Sequence, residues 1–131
     1  MMNKALSPEQ ARMLSPLQLA YVGDSVHTLI VRNHLLLKNL NVKKMHQKSV
    51  QAVCAVNQSR VLDNLLPLLS EDELSLVKRG RNAHAHHNGP KSASTSEYAG
   101  ATGLETLLGY LYLTGNEERL NEFTPYLLPE D

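Results

Sequence analysis

Hydrophobic and polar positions along this chain recur at helical spacing. Ser15-Pro16 pairs a helix-capping side chain with a proline suited to the first helical position. Behind it Leu17, Ala20, Tyr21, Val26, Leu29, Ile30, Val31 and Leu35 form a broad apolar stripe, predicting a helix from 16 to about 37. The turn KNLNV follows, then a short helix from near Val42 that carries Lys43, Lys44, His46 and Lys48. A further helix is predicted over about 51–69, with Val53, Val56, Val61, Leu62, Leu65 and Leu66 facing inward. Ser70-Glu71-Asp72-Glu73 reads as a capping box with acids in the first turn, opening a helix that ends around 81–83. The stretch AHAHHNGPKSASTS lacks an apolar period and reads as a loop. SEYAGATGLETLLGYLYLT is strongly apolar and helical from about Ser96 to Thr114; Gly115-Asn116 ends it. The amphipathic NEERLNEFTPYLL and an acidic tail complete the chain. No period of two persists long enough for a sheet, so the fold class is all-α. The helices beginning at 16 and 96 are apolar around much of their circumference and should be central.

The chain has 131 residues and no visible repeat, which suits one domain over 1–131. Its single cysteine, Cys54, permits no intrachain disulfide and reads as a small buried apolar residue. No stretch approaches the ~20 apolar residues of a membrane span, and MMNKALSPEQ lacks a secretory core. A cytoplasmic protein without membrane contact is expected.

Net charge is zero, yet its distribution is uneven. Between Ser25 and Ser96 ten Lys/Arg face four acids, a balance of +6; the flanking segments carry −6. A neutral total can thus conceal a basic face suited to nucleic acid, or disperse into an even surface on folding.

Two carboxylates stand out. Asp24 and Glu105 lie mid-helix in the two most apolar helices, and neither has a Lys or Arg at i±3 or i±4. Gly23, Gly103 and Gly109 beside them would let helix backbones approach closely. Facing helices would then hold both carboxylates around one hard cation; oxygen donors with open coordination suit Mg²⁺. Backbone or tyrosine hydroxyl partners would satisfy the same pair without a metal.

VKRGRNAHAHHNGPK, Val77 to Lys91, supplies Lys78, Arg79, Arg81 and Lys91 with Asn82 and His84, and no acid occurs from Leu74 to Ser96. These side chains, with Lys43, Lys44, His46 and Lys48, are candidate phosphate contacts. Aromatic residues are absent from the segment, which favours backbone recognition of a duplex over base stacking. A solvated loop is the plain alternative. The HAHH run lacks a fourth zinc ligand at familiar spacing. His27 and His34 share one helical face and read as packing or hydrogen-bonding residues.

LAYVGDSVHTLIVRNHLL, MHQKSV, LVKRGRNA and TGLETLLGYLYL, in this order over about 15–120, closely resemble Mini-ribonuclease III, the branch of the ribonuclease III family reduced to its catalytic domain. The resemblance implies a homodimeric helical endonuclease domain without a double-stranded RNA-binding domain. It also implies Mg²⁺-dependent cleavage of double-stranded RNA, with Mn²⁺ able to substitute. Asp24 and Glu105 match the family's metal-binding catalytic acids. Products would carry 5′-phosphate and 3′-hydroxyl ends, and the implied substrate is precursor 23S ribosomal RNA, with room for a large-subunit ribosomal protein that presents it. Ala20 and Thr102 stand where the larger enzymes carry further acids, which leaves the number of metal ions open. Two other readings remain at this level: a non-catalytic RNA-binding or ribosome-assembly module on the same fold, and a small helical adaptor without RNA affinity.

Overall fold

A computed structural model of the chain describes residues 4–84 and 95–129. Among the described residues every regular element is helical. They are α1 (Pro8–Arg12), α2 (Pro16–Leu35), α3 (Val42–Val53), α4 (Ala55–Leu65), α5 (Glu71–His84), α6 (Thr95–Leu113) and α7 (Glu117–Leu127). Short 3₁₀ turns follow α2 and α4.

The helix starts obey local chemistry. Ser7, Ser15 and Ser70 each accept a hydrogen bond from the backbone N–H three residues on, and Gln10, Gln18 and Glu73 reach back to the capping N–H. Asn41 and Asn116 cap α3 and α7 in the same way, without the reciprocal bond. Gly115, at φ 72°, terminates α6 in a left-handed turn in which the Asn116 N–H donates to the Leu111 carbonyl.

α6 is the hub and packs against α2, α4, α5 and α7. Leu104, Leu107, Leu108 and Leu111 of α6 form the main core with Leu19, Leu62, Leu65, Leu76, Phe123 and Leu127. A smaller cluster joins Val31 and Leu35 of α2 to Ala52 of α3. No described helix is long and apolar enough to cross a membrane.

Three expectations are corrected. Leu17, Tyr21 and Leu29 belong to the apolar stripe of α2 by periodicity, but they are 39%, 82% and 57% exposed. α2 buries instead the face carrying Leu19, Ala20, Gly23, Val26, His27, Val31 and Leu35. A helix apolar on several sides does not reveal which side meets the core. Second, α3 continues to Val53 and α4 begins at Ala55, so the helix expected from 51 is interrupted by extended backbone at Cys54. Val56 consequently points outward. Third, Cys54 is exposed, with its thiol donating to the Gln51 carbonyl at 3.3 Å. The short helix α1 carries no apolar period of its own and was not anticipated. The HAHH loop beyond His84, with His86, His87 and Lys91, lies outside the described residues, as do the His84 side chain and the end of the acidic tail.

Candidate active site

α2 and α6 cross almost in backbone contact. A Cβ at Gly23 would overlap the Glu105 carbonyl oxygen, and one at Gly109 would overlap that of Leu19. Both glycines are therefore spacers between the two helices, and Gly103 serves similarly toward Val77 on α5. Asp24, one residue beyond the crossing, lies on the exposed side of α2. Glu105 is half-buried, and Asp24 and Gln58 lie near enough to influence its carboxyl.

Burial, reinforced by the Asp24 hydrogen bond and charge, raises Glu105 to about 8; the Gln58 bond opposes the rise. Two carboxyls share one proton-dependent contact here, which is a site that a divalent cation would relieve by replacing the proton. Both donors are oxygens. Among the described residues no third His, Cys, Asp or Glu completes a metal-binding group with them. A sparse, oxygen-only set fits Mg²⁺, which retains waters and takes phosphate oxygens. The residues present therefore fit that ion.

Behind the pair runs a buried hydrogen-bond chain. Gln58 Nε2 lies 3.0 Å from His27 Nδ1, and His27 Nε2 lies 3.1 Å from the Leu127 carbonyl. Burial lowers the His27 pKa, partly countered by Leu127 and by the charge of Asp24. The hydrogen-bonding role expected of His27 is thus realised. Gln58 was missed: an amide on an amphipathic helix carries no sequence signal until its neighbours are known. Ala20 and Thr102 are buried; the Thr102 hydroxyl bonds back to Tyr98 of its own helix.

The candidate RNA contacts are differently placed. Lys43, Lys44 and His46 are exposed on α3, and Lys78 and Asn82 are exposed on α5. Lys48 is half-buried and lines a polar cleft with Gln51, Asn57, Arg60 and Asn64. Arg60 had drawn no attention in the sequence. Arg79 is half-buried and donates to the Leu14 carbonyl at 3.3 Å. Arg81 lays its aliphatic stem against Gly103, and its Nε is buried without a hydrogen-bond partner among the described residues.

The ribonuclease III domain family matches residues 17–116, a span that holds the helix crossing and both acids. The chain belongs to the ribonuclease III family. Within it the chain is similar to proteins named Mini-ribonuclease 3. That of Symbiobacterium thermophilum is 46% identical over 83% of this chain and 84% of its own. That of Synechococcus sp. is 47% identical over 85% and 79%, and that of Clostridium tetani 37% over 92% and 81%. A crystal structure of a Fusobacterium nucleatum protein superposes with a TM-score of 0.80 at 29% identity, covering 87% of this chain and 91% of that one. The ribonuclease III domain family thus has an all-helical member here, an endoribonuclease of the ribonuclease III type.

Proposed function

We propose that the protein cleaves double-stranded RNA with Mg²⁺ held by Asp24 and Glu105, leaving 5′-phosphate and 3′-hydroxyl ends. One observation carries this reading. The helix crossing at Gly23 brings two carboxyls from distant parts of the chain close enough to influence each other's charge, with Asp24 open to solvent. When bound, the ion supplies Lewis acidity toward a phosphate oxygen and a more acidic water. The chain's own part is to hold the two carboxylates at a fixed separation at the protein surface. Glu105 must give up its proton to serve as a ligand, and the nearby Gln58 side chain favours the ionised form. Lys43, Lys44, His46, Lys48, Lys78, Arg81, Asn82, His84 and Lys91 are the proposed phosphate contacts; Arg79 contributes through its remaining donors.

Two copies would act together. Leu17, Tyr21 and Leu29 on α2, with Leu36 just beyond it, form an exposed apolar row that supports pairing through this face. Asp24 lies between Tyr21 and Thr28 on the same side of the helix. Pairing there would set two sites along one duplex, one for each strand. Precursor 23S ribosomal RNA is the proposed substrate, a large-subunit ribosomal protein a proposed accessory, the cytoplasm the proposed setting and residues 1–131 one catalytic domain.

The test is digestion of a long RNA duplex with and without Mg²⁺, with product ends mapped. Discrete cuts that need the metal and disappear in Asp24→Asn and Glu105→Gln are expected. Tight binding without cleavage would instead assign the chain to a non-catalytic RNA-binding role.

A further inference from the structure

We propose that the cleft between α3, α4 and the end of α7 is a binding site for a phosphate monoester, the group shared by a free 5′-nucleotide and a 5′-phosphorylated RNA end. The site is separate from the Asp24 and Glu105 pair, neither of which lines it.

Lys48 and Gln51 of α3, Asn57, Arg60 and Asn64 of α4, and Tyr126 of α7 supply its polar lining. Within each helix these residues are three or four positions apart, so each set shares one side of its helix. One cation is already oriented. Asn57 Nδ2 donates to the Ala52 carbonyl at 2.6 Å, and Asn57 Oδ1 accepts from Arg60 Nη2 at 2.6 Å. The Arg60 guanidinium is thereby tied to the end of α3 by a neutral side chain. Neither Arg60 nor Lys48 forms an ion pair among the described residues, and no described acid lines the cleft. Two positive charges thus share one concave surface without countercharge, an arrangement that an anion relieves.

Charge and size select the anion. A phosphate monoester carries about −1.5 to −2 at pH 7 and matches both cations, whereas a backbone diester carries one negative charge. The planar fork of Arg60 suits two phosphate oxygens, and Lys48 acts as a point charge. The amides of Gln51 and Asn64 and the Tyr126 hydroxyl add neutral donors. The cleft holds about 230 Å³, several times the ~30 Å³ share of one water, which leaves room for the group that the phosphate esterifies. Buried Ala52 and Val61 give that group apolar surface. Lys48 is half-buried, whereas Lys43 and Lys44 stand exposed on the same helix, which sets it apart from those duplex contacts.

The test is calorimetric titration of the full chain in a chelator, so that divalent cations take no part. The probes are uridine 5′-monophosphate, uridine, and a short single-stranded RNA with either a 5′-phosphate or a 5′-hydroxyl. The monophosphate or the 5′-phosphorylated RNA is expected to bind at least about tenfold more tightly than its unphosphorylated counterpart. Arg60→Ala and Lys48→Met should each weaken that binding by about tenfold or more, and Lys4→Ala, which removes a remote charge, should not. Preference for the mononucleotide identifies a free nucleotide as the occupant; preference for the phosphorylated RNA identifies an RNA end. Equal binding of phosphorylated and unphosphorylated probes, or equal loss in Lys4→Ala, overturns the proposal. The unaltered protein supplies a readout independent of variant folding: by NMR the Asn57 and Asn64 side-chain amides should shift with the phosphorylated probe, and unmoved amides overturn the site.

Discussion

Gly23 rests on the carbonyl of Glu105, and this contact brings the Asp24 carboxyl to that of Glu105. A glycine on one helix thereby sets the spacing of a site whose acids are 81 positions apart in sequence. Gly23→Ala should separate α2 from α6 at the crossing, because its methyl would overlap backbone that cannot rotate aside. A loss of about 1–3 kcal/mol in urea unfolding is expected, with Mg²⁺-dependent cleavage reduced more than stability alone explains. A variant with parental stability and cleavage would refute the spacer role.

Glu105 makes the metal-free protein pH-sensitive. Its pKa is about 8 in the fold against 4.5 ordinarily, so the folded state binds the extra proton between these values. Stability from this group is therefore lost as pH rises from 4.5 to 8, by at most about 1.4 kcal/mol per pH unit. His27, with its lowered pKa, acts in the opposite sense below its ordinary 6.5. Thermal melts in a chelator between pH 7 and 8 should show a falling midpoint, absent in Glu105→Gln. Mg²⁺ should restore the midpoint at pH 8 in the parent and have little effect in that variant.

Arg119 ties α7 to α5. It meets both carboxylate oxygens of Glu73 at 2.7 Å, the Leu68 carbonyl at 2.8 Å and Glu122 at 2.7 Å. Its guanidinium also lies 4.4 Å from the Phe123 ring centre. Arg119→Ala would leave a nearly buried Glu73 carboxylate without its countercharge, held only by the Ser70 cap, and should cost about 2–4 kcal/mol in urea unfolding. Hydrogen bonding to Arg119 lowers the Glu73 pKa. The pair's contribution is thus full above the ordinary 4.5 and lost as pH falls through the lower folded value. The stability difference between variant and parent should narrow below that range, leaving what the Leu68 and Phe123 contacts contribute.

Exposed and committed cations should respond differently to substitution. Lys43→Ala with Lys44→Ala should weaken duplex RNA binding and reduce the salt slope by about 1–2, with melting unchanged. Arg79→Ala removes a bond to the Leu14 carbonyl and should also destabilise the chain, by about 1 kcal/mol. An unchanged salt slope in the double variant would remove α3 from the RNA-binding surface.

Tyr21 tests the pairing face. It is 82% exposed, so Tyr21→Asp should leave the protomer folded. Light scattering should report a dimer for the parent and a monomer for the variant, with cleavage falling at least tenfold. A dimeric variant would move the interface elsewhere.

Much of this molecule is written in local chemistry. Ser15-Pro16, the Ser70 to Glu73 box and Gly115-Asn116 mark helix ends because their bonds close within a few residues. The all-α class follows from periodicity, and Asp24 and Glu105 announce themselves as acids in apolar helices without local countercharge. The face that α2 buries is not local: Leu17, Tyr21 and Leu29 suit a core as well as Leu19 and Val26, and packing against α6 chose between them. Cys54 stands outside for a related reason, because the chain must turn between α3 and α4 there. Gln58 and His27 acquire meaning only when α4, α2 and the end of α7 converge behind Glu105. Helical periodicity and capping reach about one turn along the chain, so they specify elements and flag unusual residues. Burial, hydrogen-bond direction and the pairing of distant carboxyls depend on contacts across helices, and those exist only after the chain has packed.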